Sequence, residues 1–231
     1  MNGLPPPPST PVRSPAAAVA GEHEVIVERP GGPSIEARVH APARPVRAVL
    51  VCHPHPLYGG SMHSPVPLAV TRMLSEAASE QVAWARFNFR GVGASGGVYD
   101  EGRGELDDAR AVISHLRGLA GGVPLAVFGH SFGSWIGCRL AFAERDVDRA
   151  LLVAPTPHFT FPSPPPDRGL RTTVFIGDQD ELSPLPAARQ IAETLGAELR
   201  VFENFDHHFL KSRRALAEAA LPVIAPEVAH Q

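Results

Sequence analysis

Gly129-His130-Ser131-Phe132-Gly133 is the segment of this sequence best suited to chemistry. It directly follows the apolar run Pro124–Phe128, and a helical pattern follows it. A serine in a sharp strand-to-helix turn presents its hydroxyl above the sheet edge. Glycines two residues away on each side let the turn close. The N–H groups of the following helix point to where negative charge would develop. Ser131 is therefore the candidate nucleophile, and the Phe132 amide a candidate donor to an oxyanion. His130 beside it points another way in so tight a turn, and reads as a packing or supporting residue.

A serine hydroxyl is a weak nucleophile until a base takes its proton, and the base needs a third group to fix its tautomer. In strand-turn-helix sites of this type the chain order is serine, acid, histidine. After the apolar run Thr173–Ile176 stands Gly177-Asp178-Gln179-Asp180-Glu181. Asp178 lies at the strand end and suits a loop-bonding role. Asp180 is further round the loop and is favoured, with Glu181 behind both. The base is expected in Asn204-Phe205-Asp206-His207-His208-Phe209, where His207 is favoured over His208. Asp206 is expected to bond the loop backbone.

The second oxyanion donor is expected from His53-Pro54-His55-Pro56-Leu57-Tyr58-Gly59-Gly60. Proline has no N–H, so His55, Leu57, Tyr58 and Gly59 remain, with Leu57 or Tyr58 preferred; the Tyr58 hydroxyl could also donate. His53, His55 and His63 could chelate a metal. No carboxylate stands near them and the prolines restrict their geometry, so neither a metal nor any other cofactor is expected.

The elements that must hold these residues alternate along the chain. Ala48–Cys52, Leu125–Phe128, Ala150–Val153 and Thr173–Ile176 are apolar on both faces, as strands covered by helices on both sides are. Val82–Phe89 and Leu199–Phe202 are weaker runs of that type. Helical spacing recurs over Val66–Ala77, over Leu106–Leu116, from Phe132, over Ala188–Leu195 and over Lys211–Ala220. Alternation of this kind predicts an α/β fold with a doubly wound, mostly parallel sheet. Glu24–Glu28 and Ile35–His40, joined by Pro30-Gly31-Gly32-Pro33, read as an antiparallel hairpin at one edge. Residues 1–21 read as a proline-rich, extended arm, and residues 22–231 as one domain. The stretch from Pro155 to Pro166 holds six prolines. It is too short for a large helical lid, so a loop and an open or shallow pocket are expected.

Hydrophobic residues make up 44% of the 231 residues, enough for one sizeable core. With 19% charged residues and a net charge of −3, nothing points to nucleic acid. No run is apolar for long enough to span a bilayer, and the N-terminus is a poor secretory signal, so a cytoplasmic protein is expected. The two cysteines, Cys52 and Cys138, sit in apolar surroundings and read as buried thiols.

Five motifs in order resemble the α/β-hydrolase superfamily: Cys52–Met62, Phe87–Gly97, Phe128–Ser134, Gly177–Pro184 and Asp206–Phe209. The likeness is to small, lidless bacterial members related to dienelactone hydrolases, over about residues 23–220. It implies a triad of Ser131, Asp180 and His207, and a scaffold role for Arg90 and Asp107. Dienelactone hydrolases carry cysteine at the elbow, whereas this chain carries serine. The chemistry implied is acyl transfer on a small-molecule carboxylic ester. Peptide or aminoacyl hydrolysis, thioester hydrolysis and cofactor-free haloperoxidation are the enzymatic rivals, and a silent binding module is the other. Oligomeric state is left open.

Overall fold

The computed structural model describes residues 18–165 and 169–228. Among the described residues eight strands form one sheet: β1 (His23–Val27), β2 (Ile35–His40), β3 (Arg47–Cys52), β4 (Val82–Phe87), β5 (Leu125–His130), β6 (Val147–Val153), β7 (Arg171–Gly177) and β8 (Glu198–Phe202). Their order across the sheet is β1-β2-β4-β3-β5-β6-β7-β8. β1 and β2 pair antiparallel as the expected edge hairpin, and β2 runs antiparallel to β4. All pairs from β4 to β8 are parallel. This is the doubly wound sheet that the alternation of elements implies.

Among the described residues five α-helices accompany the sheet: α1 (Pro65–Ala78), α2 (Arg103–Ala120), α3 (Phe132–Ala143), α4 (Leu185–Leu195) and, after the last strand, α5 (Arg213–Ile224). Successive strand residues point to opposite faces, so the central strands feed two cores. Ala48, Leu50 and Cys52 of β3 join the core under α2 and α3, while Val49 and Val51 join the one under α1 and α5. β5 divides the same way, with Leu125 and Val127 on one face and Ala126 and Phe128 on the other. Both cysteines are buried and unpaired. Burial raises the Cys138 thiol to about 12 and pushes Cys52 higher still.

The fold departs from the sequence expectations at the end of α5 and in the α2 carboxylate that serves as scaffold. α5 runs through Pro222 to Ile224 rather than stopping near Ala220, because Val223 and Ile224 are buried in the core beneath it. Arg90 is paired with Asp108 rather than Asp107: its Nη2 and Nε bond the Asp108 carboxylate at 2.8 and 3.0 Å. Asp107 lies on the outer face of α2 and bonds Arg110, three residues on. Both carboxylates fall within one turn, and only the inward one meets the loop after β4. Of the arm expected over residues 1–21, residues 1–17 lie outside the described residues. Val19 packs into the core beside α1. Just after the arm, the Glu22 side chain is fully buried against Arg86 and Trp84 of β4.

Among the described residues no helix is long and apolar enough to cross a membrane.

Candidate active site

β5 ends in the turn that carries Ser131. The serine backbone stands at φ 56°, ψ −118°, outside the regions that L-residues prefer. The turn is held by Ser131 N–H to the Val153 carbonyl at 2.9 Å and by Ser134 N–H to the Ser131 carbonyl at 2.9 Å. The flanking glycines are required by contact as well as by conformation. A Cβ on Gly129 would collide with the Gly133 carbonyl, and one on Gly133 with the Cys52 carbonyl at the end of β3. The G-x-S-x-G spacing thus lets α3 start hard against β3.

Two more loops at the same sheet edge bring side chains to Ser131. After β7, Asp180 is buried, and its Oδ1 accepts the Leu182 and Ser183 amides at 2.9 and 2.7 Å. After β8, the His207 imidazole is buried between that carboxylate and the serine. His207 Nδ1 stands 2.8 Å from Asp180 Oδ2, and Nε2 stands 3.0 Å from Ser131 Oγ. A carboxylate accepts only, so Nδ1 carries the proton. Nε2 is left as a lone pair facing the hydroxyl. Asp178 bonds the Asn204 amide at 2.6 Å, and Asp206 Oδ1 accepts the Leu210 amide at 2.7 Å, each a loop-bonding role.

Ser131 opens into a cavity of about 460 Å³ lined by His55, Val66, Thr156, Phe159, His207 and His208. The size suits a small ligand, and the walls are chiefly apolar. Phe159, from the proline-rich loop after β6, stacks on Trp135 with ring centroids 4.7 Å apart. Among the described residues, that loop carries no helix.

The loop after β3 departs from expectation. Pro56–Tyr58 form a single 3-10 turn capped by His55. Leu57 N–H bonds His55 Nδ1 at 3.2 Å, and Tyr58 N–H bonds the His55 carbonyl at 3.1 Å. Both preferred oxyanion donors are therefore committed within the turn. The Gly59 amide is held by the Pro56 carbonyl at 3.3 Å. Of the four amides weighed, that of His55 has no intramolecular bond among the described residues, and the Phe132 amide likewise has none. The sequence could not show that the loop closes into a helical turn and uses these N–H groups itself.

Solved structures similar in shape carry this architecture. An α/β serine hydrolase without a lid from Xanthomonas campestris is 28% identical, matching 94% of this chain and 100% of its own at a TM-score of 0.79. An α/β serine hydrolase homologue from Coxiella burnetii is 27% identical over 88% of this chain and 97% of its own, with a TM-score of 0.76. The chain is a small α/β-hydrolase without a lid. No family model matches this hydrolase. An uncharacterised protein of Rickettsia prowazekii is 29% identical to it over 187 residues, 75% of each chain.

Other polar groups around the hydrolase site have structural partners. His53 uses both ring nitrogens: Nδ1 donates to the Pro54 carbonyl at 2.6 Å and Nε2 accepts the Phe89 amide at 3.0 Å. Neither is left for a metal. Burial lowers His53 to about 3 and His55 to about 4, so both rings are neutral near pH 7. Spacing gave no sign of the groups that fix the Met62 peptide in the loop between β3 and α1. Asn88 Oδ1 accepts its N–H at 2.8 Å, and Arg86 Nη1 donates to its carbonyl at 2.9 Å. Arg86 is itself held by the buried Glu22, 64 residues away in sequence.

Proposed function

We propose that this hydrolase cleaves small carboxylic esters through an acyl-enzyme on Ser131. The observation that carries the reading is the chain of contacts from Asp180 through His207 to the serine hydroxyl, at 2.8 and 3.0 Å, beneath an apolar cavity. His207 Nε2 takes the hydroxyl proton as Oγ attacks the carbonyl carbon. Asp180 keeps the imidazole in the required tautomer and stabilises the imidazolium that forms. The negative charge gathers on the former carbonyl oxygen, where the free amides of Phe132 and His55 serve as donors. Collapse expels the alcohol with the proton from Nε2. Water then gives its proton to Nε2, attacks the acyl carbon, and releases the acid and the serine.

The open, mainly apolar cavity favours a compact uncharged acyl group. The test is hydrolysis of p-nitrophenyl acetate and butyrate, together with labelling by a fluorophosphonate. Wild-type protein is expected to turn over both esters and to take one label, on Ser131. Ser131→Ala is expected to lose both. Turnover that survives Ser131→Ala, or a label on another residue, rejects the proposal. A panel of thioesters and aminoacyl esters then fixes the acyl class.

A further inference from the structure

His130 precedes the nucleophile, and its chemistry is not used by the mechanism above. Its ring is buried, and Nε2 lies 3.0 Å from the main-chain carbonyl of His207. A carbonyl only accepts, so Nε2 carries the hydrogen and Nδ1 is a bare acceptor. Nδ1 is buried with no partner among the described residues. The rings of His130 and His207 stand 5.3 Å apart, tilted by 35°. A ring placed only to fill space is better made by Leu or Phe, which leave no buried acceptor unsatisfied.

The loop that carries His207 has its own internal supports. Asp206 bonds the Phe209 and Leu210 amides, and Phe209 is buried in the core with φ at 52°. The Gln179 amide ties the loop to the segment after β7 through the Phe205 carbonyl at 3.0 Å. None of these contacts sets the loop against the elbow. His130 does so, one residue from the nucleophile, and it grips the same residue whose imidazole must meet Ser131.

We infer that His130 is a positioning residue: its Nε2–H holds the His207 carbonyl and so sets the imidazole at bonding distance from Ser131. The inference rests on the triad reading above. Burial among His207, His208 and Arg213 keeps the His130 ring well below its ordinary titration range. The strap is therefore uncharged when His207 takes the proton, and adds no like charge beside it.

Two amide substitutions separate the donor from the bulk. The Gln side-chain N–H reaches the place of Nε2, while that of Asn reaches only the place of Nδ1. With p-nitrophenyl butyrate, His130→Gln is expected to keep most of kcat. His130→Asn is expected to lose on the order of 10- to 100-fold in kcat, the scale of an ångström of misplacement, with KM changed by less than about threefold. His130→Met, similar in reach but without a donor, should share the Asn deficit if the Asn variant is too unstable to assay. Fluorophosphonate labelling rates should follow the same order. Equal kcat in the Gln and Asn variants, wild-type kcat in the Met variant, or a loss confined to KM overturns the assignment. A wild-type chain that neither turns over ester nor labels removes the triad reading itself. An active wild type with equal Gln and Asn variants removes only the role of His130.

Discussion

Ser131 holds a backbone conformation that only its neighbours sustain. At φ 56°, ψ −118° an L-residue is strained by about 1–3 kcal/mol, and glycine is not. Ser131→Gly is accordingly expected to raise the stability of the fold by about 1 kcal/mol in denaturant unfolding while abolishing fluorophosphonate labelling. A gain in stability with retained labelling would place the nucleophile elsewhere. Asp180 has the reverse balance. Its Oδ1 accepts two loop amides, and both of its oxygens face His207 Nδ1. Asp180→Asn keeps the shape of the site but presents an N–H where an acceptor is needed, which favours the wrong imidazole tautomer. The expected loss is on the order of 10⁴-fold in kcat, read with a chromogenic ester. A loss of under tenfold would mean that another carboxylate orients the ring.

At the scale of elements, the site depends on how closely the elbow between β5 and α3 approaches β3. The side chain missing at Gly133 leaves room for the Cys52 carbonyl. Gly133→Ala drives a methyl group into that backbone, and neither strand nor helix can yield without moving the turn. A destabilisation of about 3 kcal/mol is expected from thermal or denaturant unfolding, the upper part of the range for overpacking. An unchanged midpoint would show that α3 can slide away from β3. The 3-10 turn after β3 shows the same level at work in the other direction. Its geometry spends the Leu57 and Tyr58 amides on His55 and leaves the His55 amide without an intramolecular bond among the described residues.

Across the whole molecule, distant parts of the chain are tied by buried polar pairs. Glu22 and Arg86 have fully buried side chains and a 2.7 Å contact, and Arg86 continues to the Met62 carbonyl in the loop between β3 and α1. Removing Glu22 takes away the carboxylate that faces the buried Arg86 charge. Glu22→Leu is therefore expected to cost about 3–5 kcal/mol, measured as a shift in the urea midpoint, whereas the double variant Glu22→Leu/Arg86→Met should recover much of that loss. Buried histidines make stability depend on pH. Burial holds His53 near 3 and His130 well below 6.5, so both stay neutral in the fold while the unfolded chain protonates them. Stability from these groups is complete above about pH 6.5 and is lost as pH falls toward the folded values, by up to about 1.4 kcal/mol per pH unit for each ring. The unfolding midpoint should fall between pH 6.5 and 4.5, and His130→Gln should flatten the slope. A slope identical in that variant would show that His130 titrates normally.

The residues that meet at the site were legible in the sequence because each belongs to a local pattern. An apolar run followed by Gly-x-Ser-x-Gly implies a strand, a sharp turn and a helix, and the runs before Asp180 and His207 place those residues at strand ends. Parallel strands in one sheet then bring all three to the same edge, as the order β3-β5-β6-β7-β8 does. Local pattern could not say which amides a loop consumes, which of the adjacent Asp107 and Asp108 faces Arg90, or what His130 holds. Those are decided by directions in space among segments remote along the chain. A hydrogen bond depends on where a donor points, and that is fixed only once the loops are packed against the sheet.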